Sequence, residues 1–423
     1  MSFGLKSFGQ VSDVKLPKPA GFPVIPSVTP TGVPSKVGNN RGLSIQEANL
    51  RRIQQDIRNQ ERRQTAISNR SLYSDLPSTI SYTLPDRSSL KGTEFFREAL
   101  HMINEMLEGK TKLDLKKAVF IVENAYYGNR MDYKQFDKAI QDAAYICRLK
   151  MKEYGSEDDL VKNLTIFNYI SDTTRVKLPG TEKILTRFPM KYDFNDYQGK
   201  EQWSNMFVSK LMGTHSGQCH SMPLYFQILS QELGSESYIT HSPNHSFIRF
   251  KSKKGNWYNA ELTCGAIVSD ASIMECGYVK AEALKSGIYM DTLSMHETVA
   301  CCINDLASGY IRKYGYDSFS KKCVDAVRKY YPNQLHAIMG EANWQTVTTT
   351  YIARQKGRPP VEIFKRDTLA KKSLDRMHEL YSILNNLGYE DMPKKHYDNW
   401  LNGLKKAKTK PENQKSFIHQ ITK

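Results

Sequence analysis

Gly217-Gln218-Cys219-His220-Ser221 leads into Met222-Pro223-Leu224-Tyr225-Phe226-Gln227-Ile228-Leu229, and Gly234 stands where a helix would stop. The apolar run reads as a helix that opens at the cysteine and ends at that glycine. Beyond it, residues 237–240 and 246–250 have strand composition. Residues 251–256 form a turn signal, and Trp257 to Leu262 reads as a returning strand. Helix followed by strands predicts a mixed α+β body. It places a cysteine at a helix start, His245 at a strand start, and polar acceptors on the strand after that.

That order suits thiol chemistry. A thiol attacks an acyl group as thiolate, and both a helix N-terminus and a neighbouring imidazole favour the charged form. Gly217 lets the chain bend before the helix, and the backbone N–H of Cys219 is placed to donate to an oxyanion. The side chains of Gln218 and Trp203 are both candidates for a second oxyanion donor. In the returning strand Asn259 and Glu261 share one face, and either can hold the Nδ1–H of His245. If residues opposite one another sum to 504, His245 faces Asn259; a sum of 506 makes it Glu261, and an odd sum leaves neither directly opposite.

Outward from this centre the chain changes character. Residues 1–42 are rich in Pro, Gly, Ser and Val without periodicity, as in a linker. Ser44 to about Arg70 reads as a polar helix with Leu50, Ile53 and Ile57 in a thin apolar stripe. Helical spacing then covers Phe95–Leu107, Leu115–Tyr126 and Asp132–Tyr154, whereas Thr165 to Ser171 is expected to be a strand. Trp203, Phe207 and Leu211 form a short amphipathic run before the cysteine. From about Asp291 the pattern is helical, with helices expected at Cys301–Tyr314, Phe319–Tyr331, Gln334–Thr346, Leu374–Leu387 and about His396–Lys406.

Of 423 residues, 60 are basic and 44 acidic. Residues 1–90 hold 12 bases against 6 acids and residues 351–423 hold 16 against 8, so the central region is nearly neutral. Basic ends suit nucleic acid, anionic surfaces or acidic proteins, or simply keep tails solvated. No run approaches the ~18 apolar residues that a membrane span needs. The N-terminus lacks the pattern of a secretory signal, so the cytoplasm is the expected location. Seven scattered cysteines do not read as a disulfide framework. His215, Cys219, His220, His241 and His245 crowd one region, but Pro243 breaks the His241-to-His245 spacing and no CxxC or HExxH occurs, so no metal is expected. Gly109-Lys110-Thr111 suggests a phosphate loop but has Asn104 where such a loop requires glycine. No cofactor is expected.

The three motifs together resemble the transglutaminase-like superfamily, a papain-related cysteine fold. Gly217-Gln218-Cys219 is similar to its glycine-x-cysteine helix start, His245 to Phe250 to its histidine strand, and Trp257 to Glu261 to its tryptophan-to-aspartate strand. Glu261 stands where the family usually has Asp. The resemblance covers about residues 90–290 and implies acyl transfer on a protein or peptide, with Cys219 as nucleophile, His245 as base and Glu261 or Asn259 as orienter. Leu306 to Tyr310, with Phe319, Ala326, Tyr331 and Pro332, resembles a tetratricopeptide unit of the kind attached to some bacterial transglutaminase-like proteins. It implies a peptide-binding groove, or else a helical cap on the preceding domain. The expected organisation is therefore a basic arm at 1–90, a transglutaminase-like domain at 91–290 and a helical domain at 291–423. A non-catalytic interaction protein that keeps the fold is the alternative reading.

Overall fold

A computed structural model describes residues 80–390, together with Asn399, Asn402 and Gly403. The expected arm, the polar helix at 44–70 and the last expected helix lie outside, or almost wholly outside, the described residues.

Four helices come first: α1 (Thr93–Leu107), α2 (Leu115–Tyr126), α3 (Tyr133–Tyr154) and α4 (Asp159–Ser171). Asp114, Asp132 and Asp158 cap the starts of α2, α3 and α4 by accepting backbone N–H bonds from Lys117, Lys134 and Val161. Each such cap is worth about 1 kcal/mol. Gly155, at φ 68°, ends α3 in the left-handed conformation that a side chain disfavours. Helix α4 corrects the strand expected at Thr165 to Ser171. Its residues Val161, Leu164, Thr165, Ile166, Phe167, Tyr169 and Ile170 are all buried, so it is apolar on several sides. A short apolar run of that kind has no helical stripe to reveal its period.

A hairpin, β1 (Thr174–Lys177) with β2 (Ile184–Arg187), leads to β3 (Lys191–Tyr192). A 3₁₀ turn at Trp203–Met206 precedes α5 (Val208–Thr214), β4 (Ser216–Gly217) and α6 (Ser221–Leu233). Strand β3 runs parallel to β4, immediately ahead of the cysteine. An antiparallel sheet follows, in the order β5 (Tyr238–Ser242), β6 (His245–Lys251), β7 (Trp257–Glu261) and β8 (Ala266–Val268). The remaining helices are α7 (Asp270–Gly277), α8 (Ala281–Lys285), α9 (Met295–Tyr314), α10 (Ser318–Tyr330), α11 (Leu335–Gln355), α12 (Val361–Phe364) and α13 (Thr368–Asn386).

The protein is thus mixed α+β, and its sheet separates two cores. Ile248, Phe250 and Ala260 join the larger core with Phe96, Ile103, Ile140 and Phe226. The rings of Phe226 on α6 and Phe250 stack with centroids 6.3 Å apart. Phe247, of opposite parity on β6, joins a second core with Ile273, Met290, Leu335, Phe364, Leu380 and Tyr381.

The larger core does not stop at residue 290. Val299, Ile303, Leu306 and Tyr310 of α9 belong to it, as does Val347 of α11. Gly309 shows how closely α9 is packed: a β-carbon there would lie 3.1 Å from Tyr126 and 3.3 Å from Nε1 of Trp203. The helices after 290 therefore complete the body that holds the cysteine, and α11 to α13 back the second face of its sheet. Among the described residues no helix is long and apolar enough to cross a membrane.

Candidate active site

The turn into α6 is fixed by backbone geometry. Met222 N–H donates to Gln218 C=O at 3.0 Å, which sets Cys219 in the turn that leads into α6. The hydroxyl of Ser221 accepts the Gln218 N–H at 3.1 Å and so satisfies a donor that a helix start leaves over. Glycine is required just before it. A β-carbon on Gly217 would lie 2.6 Å from the Ser221 hydroxyl and 2.8 Å from Leu211.

His245 is delivered by a two-residue turn. Ser242 pairs with His245 across Pro243 and Asn244, and Asn244 takes φ 61°, which Asn tolerates better than most residues. The imidazole bonds Glu261 and lies close enough to the Cys219 side chain for that group to raise its pKa. Nε2 of His245 is the nitrogen bonded to the Glu261 carboxylate, which leaves Nδ1 for the sulfur. The expectation that Nδ1 would be the nitrogen held by the acceptor is thereby reversed. The second carboxylate oxygen of Glu261 accepts the Thr263 N–H at 2.8 Å.

All three side chains are buried, with Cys219 1%, His245 4% and Glu261 6% exposed. Burial alone would depress the His245 pKa, but the Glu261 charge, the nearby Cys219 side chain and the bond to Glu261 outweigh it and push the value up to about 10. Burial likewise works to raise the Glu261 carboxyl, yet the His245 charge and the Thr263 bonds leave it below its ordinary value. Both shifts favour a carboxylate beside an imidazolium.

The register decides between the two acceptors. Ile248 lies opposite Ala260 and Arg249 opposite Asn259, a sum of 508 that was not among the registers considered. Glu261 reaches His245 diagonally from the end of β7. Asn259 does not reach it: its Nδ2 donates to Val268 C=O at 3.1 Å and to Asp270 at 2.7 Å. Asp270 also takes both bonds from Nη2 of Arg249, at 3.0 and 3.1 Å. Asn259 thus belongs to a structural network on the sheet.

The two oxyanion candidates separate as well. Nε2 of Gln218 turns to the Asp196 carbonyl at 3.4 Å. The indole N–H of Trp203 has no acceptor among the described residues, and the side chain is buried, with the Arg312 guanidinium 4.7 Å above its ring.

Sequence reading missed several buried polar groups nearby. His220 pairs with Asp305 of α9 at 3.1 Å, and Asp305 carries no motif that announces it. Glu123 of α2 accepts the Val208 and Ser209 N–H groups at 2.6 and 3.0 Å, and burial pushes its pKa up to about 7. Burial, then the His220 and His245 charges, push His241 down to about 4. Cavities of about 30 and 10 Å³ flank His220 and Asp305, and Cys219 lines neither. Among the described residues no group of three or more His, Cys, Asp or Glu is arranged to hold a metal ion. Set against family models, curated proteins and solved structures, the chain finds no match.

Proposed function

We propose that this chain is a cysteine-dependent acyl-transfer enzyme of the transglutaminase-like, papain-related kind, acting on a protein or peptide amide. The observation that carries the reading is the buried line of Cys219, His245 and Glu261, with one imidazole nitrogen bonded to the carboxylate and the other left to the thiol. Sulfur attacks the acyl carbon as thiolate, and His245 protonates the departing amine. Glu261 fixes the ring and stabilises its charge. The Cys219 N–H and the Trp203 indole N–H are the donors assigned to the oxyanion. Water or an amine then takes the acyl group, with His245 as base. The reading calls for no cofactor and no metal.

A non-catalytic scaffold is the second reading, and one observation favours it: the sulfur is buried and neither cavity beside His220 includes it. Site-resolved alkylation with iodoacetamide at neutral pH distinguishes the two. Burial pushes the Cys147 thiol up to about 12 and raises Cys301, Cys302 and Cys323, so these should label slowly. Cys264 is partly exposed and serves as the reference. An enzyme predicts that Cys219 labels at least about tenfold faster than Cys264. Labelling of Cys219 slower than Cys264 would count for the scaffold.

A further inference from the structure

A cavity of about 450 Å³ lies between α1 and α10, far larger than the two beside His220 and sharing no residue with the Cys219 site. Buried Leu100 and Phe319 give it an apolar floor, and Arg97 and Lys322 bring a cation from each helix. Its volume is in the range of small-molecule sites.

The cations are placed by the fold rather than loosely attached. Nη1 of Arg97 donates to Thr93 Oγ1 at 2.9 Å. Thr93 is fully buried, and its hydroxyl is bound to the Ser88 and Leu90 carbonyls at 2.9 and 2.8 Å. One corner of the guanidinium is therefore anchored, while Nε and Nη2 make no bond among the described residues. Lys322, Ser318 and the Asn104 amide, all lining the same cavity, likewise have no side-chain partner among them. The resident carboxylate, Asp86, accepts the N–H and the hydroxyl of Ser88, at 2.9 and 2.7 Å, and keeps its charge close to Arg97, so the two cations exceed the cavity's own anion by one charge.

Nε and Nη2 of Arg97, Nζ of Lys322, Oγ of Ser318 and Nδ2 of Asn104 make five donor atoms, more than the roughly four lone-pair sites of a carboxylate, and a dianion with three terminal oxygens matches them. We infer that this cavity binds a small phosphate monoester. The phosphate sits between Arg97 and Lys322, and the apolar part lies on Leu100 and Phe319.

Phenyl phosphate is the probe, titrated calorimetrically into the full-length chain. Saturable binding is expected, with phenol giving none. Arg97→Gln and Lys322→Gln, both at exposed side chains, should each weaken it by about tenfold or more, since each removes a charge-assisted bond. Lys138→Gln, an equal charge change at an exposed side chain of α3, should leave affinity unchanged. No saturable binding at millimolar phenyl phosphate overturns the proposal. So does unchanged affinity in both cavity variants, or an equal loss in Lys138→Gln, which would trace the effect to overall charge.

Discussion

Glu261 works with both oxygens, one on His245 and one on the Thr263 N–H, and the extra methylene relative to Asp lets it do so from a diagonal position. Removing its charge takes away the largest influence that opposes burial at His245 and leaves only Cys219 to hold the pKa up. Glu261→Gln should therefore slow Cys219 alkylation at pH 7 by about tenfold or more, read by mass spectrometry against Cys264. The stability consequence has a definite sign. A histidine raised from 6.5 to about 10 contributes fully below 6.5, and that contribution is lost as pH rises through about 10. Glu261, lowered from 4.5, contributes fully above 4.5 and loses its effect as pH falls through the lowered value. Urea unfolding should show the native protein weakening between pH 7 and 10, and Glu261→Gln should flatten that decline. An unchanged slope would contradict the pairing. Cys219, His245 and Glu261 were legible because residue type and order are local properties. The choice between Glu261 and Asn259 was not, because it rests on a register set by the loop at Ser252 to Asn256, where Ser252 N–H closes on Asn256 C=O at 2.9 Å.

At the scale of elements, the turn from β4 into α6 tolerates no side chain at its glycine. Gly217→Ala pushes a methyl group against Ser221 and Leu211, and should cost about 1–3 kcal/mol in urea unfolding. Asn259→Ala provides the contrast. It breaks the bonds to Val268 and Asp270 and should cost about 1–2 kcal/mol, yet leave Cys219 alkylation within about twofold of native. A large fall in alkylation would return Asn259 to the site. The helices with a clear apolar stripe, such as α1 with Phe96, Leu100, Ile103 and Leu107, were readable from spacing alone. Helix α4 was not, since Thr165, Ile166 and Tyr169 favour strands locally and only packing on several sides makes them helical. Asp305 escaped notice for a related reason: its partner His220 stands just before another helix, α6, and no local pattern couples them.

Across the whole molecule, the expected boundary at 290 marks a change of pattern in the sequence and no break in packing. A fragment ending there loses Val299, Ile303, Leu306 and Tyr310 from the larger core and the partner of His220. Residues 80–290 alone should fail to give the protection against amide exchange that α1 and α2 show in the full chain. Independent folding of that fragment would show that α9 is an accessory. The same arrangement sets an order during synthesis. Cys219 leaves the ribosome well ahead of α9 and α11, by on the order of ten seconds at ordinary elongation rates. Through that interval the larger core lacks the side chains of α9 and α11 and His220 lacks Asp305, so the nascent chain is most open to oxidants and chaperones before its fold has closed.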